Sequence, residues 1–99
     1  MHVMMLRATI KEDHFQDIEA ALRTMFAAIE QAKPPGVRYA SSRLGDSATY
    51  IILLALEQPG ENPLTAILEF GEFQRKIQGW LAEPTVPQTL NVQGSYNLF

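Results

Sequence analysis

The chain reads as one α+β domain in the order β-α-β-β-α-β, and three observations predict it. Tyr50 to Leu56 (YIILLAL) is apolar at every position, far shorter than the ~20 residues that cross a bilayer, and so reads as a strand covered on both faces. The apolar residues Phe15, Ile18, Leu22, Met25, Phe26 and Ile29 recur every three or four positions, which puts them on one face of a helix. A second helical period, Phe70, Phe73, Ile77, Trp80 and Leu81, lies between that apolar run and a final segment of loose alternation.

The first strand runs from Val3 to Ile10, where Lys11, Glu12 and Asp13 end it. Asp13 is the expected cap of the first helix, which must stop before Pro34 because the proline ring disfavours helical geometry in the residue ahead of it. Pro34, Pro35 and Gly36 turn the chain into the second strand, Val37–Leu44. Gly45 and Asp46 suit a two-residue hairpin leading to the third strand, Ala48–Leu56. That turn would pair Leu44 with Ser47, Arg43 with Ala48, Ser41 with Tyr50, Tyr39 with Ile52 and Val37 with Leu54. One face then carries Val37, Tyr39, Ser41, Arg43, Tyr50, Ile52 and Leu54, and the other Arg38, Ala40, Ser42, Thr49, Ile51, Leu53 and Ala55. A turn one residue longer would exchange the two lists.

Asn62 followed by Pro63 signals a helix start, with Asn as cap and Pro at a position where its missing donor costs nothing. Gly71 and Gly79 weaken the second helix, so it is expected to break near Glu69 into a short turn and a longer helix that ends at Pro84, with Glu72, Gln74, Arg75, Lys76 and Gln78 facing away. The last strand alternates through Leu90, Val92, Gly94, Tyr96 and Leu98.

Right-handed crossovers put strands one and three in the centre, with strand four beside strand one and strand two beside strand three. Both helices then lie on one face. The face bearing Tyr39, Tyr50 and Arg43, being bulky, is expected to point away from the helices and to be covered by the same face of a second copy, giving a homodimer through the sheet. The apolar terminus Tyr96, Leu98 and Phe99 is expected to dock across that interface.

The 99 residues suit one domain, residues 1–99, and a composition 46 % hydrophobic and 19 % charged is that of an ordinary globular protein. A formal charge of −3 without any basic run argues against nucleic acid as a partner. With no cysteine there is no thiol nucleophile, disulfide or thiolate metal site. No signal-peptide pattern is evident, so a cytoplasmic location away from membranes is expected.

This layout, with the run Glu61 to Pro84 (ENPLTAILEFGEFQRKIQGWLAEP) and the closing Gly94 to Phe99 (GSYNLF), resembles the dimeric α+β barrel superfamily of ferredoxin-like domains, and more narrowly the antibiotic biosynthesis monooxygenase-like family. The resemblance implies a four-stranded antiparallel sheet with helices on one face. It also implies a pocket between sheet and helices where characterised members oxidise polycyclic aromatic substrates without a cofactor, while others degrade haem or have no known activity. Family members often carry Glu and Trp near the end of the third strand and a His early in the second helix; here Leu54, Leu56 and the Asn62–Leu64 stretch stand in those places.

Residue chemistry adds little beyond that. No phosphate loop, nucleophile elbow or HExxH occurs, and two histidines, His2 and His14, form no metal pattern; no metal or cofactor is expected. The side chains singled out for a small apolar or aromatic ligand are Trp80, Tyr39, Tyr50 and Arg43, against readings as helix packing for Trp80 and as dimer interface for the other three. No catalytic residue stands out. The remaining alternatives are a monooxygenase-like protein, a non-catalytic ligand-binding dimer and a structural dimer with a solid core.

Overall fold

A computed structural model describes all residues, 1–99. Its strands are β1 (His2–Thr9), β2 (Val37–Arg43), β3 (Thr49–Leu56) and β4 (Gln88–Leu90), and its helices are α1 (Phe15–Ala32) and α2 (Leu68–Gln78). The sheet order is β2-β3-β1-β4 with every pair antiparallel, so the apolar strand β3 is internal as its composition requires.

The hairpin between β2 and β3 is wider than expected. Arg43 pairs with Tyr50, Ser41 with Ile52, Tyr39 with Leu54 and Val37 with Leu56. Leu44 donates its N–H to the Thr49 carbonyl at 2.8 Å, leaving Gly45 to Ala48 as the loop. Side chains explain the extra residues: the Ser47 hydroxyl donates to the Leu44 carbonyl at 2.6 Å, and Arg43 Nε donates to the Ser47 carbonyl at 2.8 Å. The Leu44 carbonyl keeps the Ser47 N–H at 3.0 Å, whereas the Ser47 carbonyl, which a tighter turn would have paired with the Leu44 N–H, is satisfied by Arg43 instead. Because the slip is even, the two face lists survive intact.

Their roles are exchanged, however. Tyr50 lies in the core with Ile10, Ile18, Met25, Phe73 and Ile77, while Tyr39 contacts Phe26 of α1 and Phe70 of α2. The bulky face therefore sits under the helices, and Ala40, Ile51 and Leu53 look outward. The helices need not approach a smooth sheet closely; large sheet side chains fill the gap between layers and bury more apolar area there than Ala and Ser would.

α1 follows a 3-10 turn at Glu12–His14, and no side chain caps either. Asp13 is thus not the cap; Asp17 instead meets His14 one turn later, its Oδ2 lying 2.8 Å from His14 Nδ1. All six residues of the predicted apolar stripe are buried or packed against the core. At the far end Lys33 adopts φ 47° and donates its N–H to the Ile29 carbonyl, after which Pro34 prevents continuation.

The second helix breaks close to the expected place but not at a glycine: Ile67, at φ −94° and ψ 119°, separates a 3-10 turn at Pro63–Ala66 from α2, which runs through Gly71 and stops at Gln78, short of Pro84. Asn62 caps the turn, its Oδ1 accepting from the Leu64 N–H at 3.0 Å. β4 is much shorter than the expected strand: it spans only Gln88–Leu90, opposite Val3–Met5. Gly94 and Asn97, the latter at φ 58°, suit an irregular tail rather than a ladder. Arg38 Nη1 donates to the Leu98 carbonyl at 2.8 Å. Arg38 shares the outer face with Ala55 and Val3, both 1 % exposed, which places the tail over that end of the sheet.

Candidate functional site

A cleft of about 140 Å³ lies between the sheet and α2. Its floor follows from register. Tyr39 pairs with Leu54 and Leu54 with Met4, while Ile52 pairs with Leu6, so these side chains rise from neighbouring strands toward the same helix. Phe70 and Gln74, one turn apart on α2, form the roof, and Pro87 closes the side ahead of β4. The lining is almost wholly apolar.

Two residues with polar side chains line it, Tyr39 and Gln74. Burial pushes the Tyr39 phenol up to about 12, so it remains protonated at neutral pH and acts as a donor. Its ring is stacked on Phe26 with centroids 5.5 Å apart and meets Phe70 edge-on at 5.8 Å. No carboxylate, histidine or basic side chain lines the cleft.

Of the four residues singled out from sequence, the structure brings Tyr39 alone to this cleft. Tyr50 is buried beneath α1, its hydroxyl without a hydrogen-bond partner. Burial raises its pKa, the Arg43 charge opposes that rise and Glu19 adds to it. Arg43 sits at the hairpin, its guanidinium carbon 4.6 Å from the centre of the Phe15 ring. Trp80 stacks on His14 at a centroid distance of 6.0 Å, where the end of α2 meets the start of α1. The cleft expected to contain Trp80 is therefore built without it.

Gln74 was expected to face away, yet it stands four residues after Phe70 and three before Ile77, so its position on the edge of the apolar stripe was readable. Met4, Leu6, Ile52 and Leu54 carry no chemical signal; only strand register reveals that they form one floor. A second cleft, about 250 Å³, lies on the far side of Tyr39 between the end of α1 and β2. No group of His, Asp and Glu side chains is placed to hold a metal ion, and no helix is long and apolar enough to cross a membrane.

Solved structures share this fold. A Nitrosomonas europaea protein provisionally named an antibiotic biosynthesis monooxygenase superposes with a TM-score of 0.76 at 17 % identity, covering 95 % of this chain and 100 % of its own. A Mycobacterium tuberculosis protein gives a TM-score of 0.73 at 13 % identity over 95 % and 96 % of the two chains. A Caulobacter crescentus protein, also provisionally named an antibiotic biosynthesis monooxygenase, gives 0.71 at 15 % identity over 94 % and 90 %. No family model and no curated protein matches the chain. The ferredoxin-like fold of the monooxygenase-like structures is thus established for this chain, and at these identities the likeness extends to fold alone.

Proposed function

We propose that the protein is a cytoplasmic homodimer that binds a small aromatic or apolar molecule in the cleft beneath α2. The observation that carries this reading is the cleft itself: apolar walls from three strands and one helix, with two neutral polar groups that can orient a ligand. A void of ~150 Å³ lined by apolar side chains holds a benzene-sized molecule, so about 140 Å³ suits one ring and is too small for a fused polycycle. The open sheet face, with Ala40, Ile51 and Leu53, supports pairing with a second copy.

Monooxygenase-like chemistry without a cofactor is the second reading, favoured by the structures that share the fold. Such chemistry needs a group at the ligand that takes a proton or stabilises developing charge. Tyr39 and Gln74 can donate to an oxyanion, but a phenol near 12 is a poor base at neutral pH. The site's chemistry therefore supports binding more strongly than turnover.

Titration calorimetry with toluene and phenol, each a single ring, tests both readings. Saturable binding abolished by Leu54→Trp, which fills the floor, is expected; absence of binding to the folded protein overturns the first reading. Oxygen uptake with a hydroxylated product by mass spectrometry, lost in Tyr39→Phe, would instead establish the second.

A further inference from the structure

Tyr39 is the one side chain that lines both clefts. The outer cleft, about 250 Å³, is walled by Phe26, Ile29, Val37 and Leu64 and rimmed by Glu30 and Lys33. Phe70 belongs to the inner cleft and Phe26 to the outer, so the rings Phe26, Tyr39 and Phe70 form a partition with Tyr39 in the middle.

We propose that the two clefts are one binding channel divided by Tyr39, and that rotation of this side chain admits an elongated ligand with an aromatic ring inside and an apolar chain reaching the outer cleft. The proposal rests on the inner cleft being the ligand site. Neither cleft alone reaches the ~300 Å³ at which pockets for larger ligands begin, whereas the joined space does.

Three features let Tyr39 move. Its hydroxyl makes no hydrogen bond within the chain, so turning the ring breaks only ring contacts. It stands on β2, the edge strand, so within the sheet only β3 flanks it. Open volume already exists on both of its sides to receive the ring. The outer cleft also has a polar mouth: Glu30 and Lys33 both line it, and neither takes part in an ion pair. An alkyl chain would therefore lie on Phe26 and Ile29 and end near water.

The test compares toluene with pentylbenzene by titration calorimetry. In the wild type each added methylene buried in the outer cleft should tighten binding about threefold to fourfold, following the free energy of burying one CH₂. Glu30→Trp, a change at an exposed helix position, fills the outer cleft from its rim. It should weaken pentylbenzene by about tenfold or more while leaving toluene within about twofold. Tyr39→Ala should weaken toluene, which loses a wall, and spare pentylbenzene. Pentylbenzene no tighter than toluene, or equal losses for both in Glu30→Trp, overturns the divided channel while the inner site stands. Failure of both probes to bind the folded wild type overturns the inner site and the channel together. Should Tyr39→Ala not fold, Glu30→Trp decides alone.

Discussion

Arg38 Nη1 holds the carbonyl of Leu98 at 2.8 Å, across sixty residues of chain, and this is the one side-chain hydrogen bond that ties the tail to the sheet. Both partners are exposed, so the bond is worth about 0.5–1.5 kcal/mol and its loss should not unfold the domain. Its local effect should be larger. Arg38→Ala is expected to release the tail after Leu90 and raise amide exchange there at least severalfold, with the exchange of β3 unchanged. Uniform acceleration across the sheet would show instead that the tail is part of the cooperative core.

Tyr50 packs in the buried cluster with Ile10, Ile18 and Met25, and its hydroxyl has no hydrogen-bond partner. A buried, unsatisfied polar group costs about 1–3 kcal/mol, and the ring supplies the useful packing by itself. Tyr50→Phe is accordingly expected to raise stability by about 1 kcal/mol in a urea titration, with an unchanged m-value. A loss of similar size would mean that the hydroxyl finds a partner in solution.

Alkaline titration separates Tyr39 from Tyr50. Tyr39 is held up to about 12 by burial, whereas a phenol in the unfolded chain ionises near ~10. As pH rises past the unfolded value, the unfolded chain gives up a proton that the folded one keeps. Unfolding thus becomes easier: the contribution is fully present below about pH 10 and is lost as pH climbs through about 12. The fall attributable to Tyr39 should be about 2–3 kcal/mol and should be missing from Tyr39→Phe, which keeps only the share of Tyr50. Parallel pH curves for the two proteins would contradict the buried environment assigned to Tyr39.

The ladder of the fold was legible because long periodic segments carry redundant signals. The six apolar residues of α1 agree with one another, Asn62 and Pro63 mark a boundary independently, and YIILLAL admits few positions other than the centre of the sheet. The side of the sheet that the helices cover was not legible, since each list of alternating residues is apolar enough to be buried. Its decision rests on how Phe26, Phe70 and Phe73 interlock with Tyr39 and Tyr50, which is a matter of shape rather than period. The hairpin is wider than Gly45-Asp46 predicts because that pair is a local signal, while the bonds made by Ser47 and Arg43 in the wider loop involve side chains outside it. The cleft was hidden for a related reason. Trp80, Arg43 and Tyr50 carry chemistry that a sequence displays, while the walls come from Met, Leu and Ile residues that only register brings together.

Leu64, fully buried, depends on the cap that precedes it. Asn62 Oδ1 takes the Leu64 N–H at 3.0 Å, and the Asn62 carbonyl takes the Thr65 hydroxyl at 2.8 Å, so the turn that seats Leu64 starts from one residue. Asn62→Ala removes the acceptor and should cost about 1 kcal/mol, whereas Asn62→Asp or Asn62→Ser, which keep an oxygen in reach, should cost less. Thermal unfolding of the three variants ranks them.

The outward face supplies the sharpest check on self-association. Ile51 and Leu53 remain half-buried on a strand in the middle of the sheet, with Ala40 beside Leu53 and Arg7 beside Ile51. If a second copy covers them, a charge placed there meets its own symmetry mate across the two-fold axis and must be desolvated beside a like charge. Leu53→Glu is expected to shift the protein from dimer to monomer in sedimentation velocity at micromolar concentration, a loss of at least about tenfold in dimer affinity, with the circular dichroism spectrum retained. Glu30→Gln, at an exposed position on α1 remote from that face, should leave the dimer unchanged. A wild type that sediments as a monomer, or a Leu53→Glu protein that still dimerises, would move the partner contact off this face and leave Ile51 and Leu53 as ordinary half-exposed strand residues.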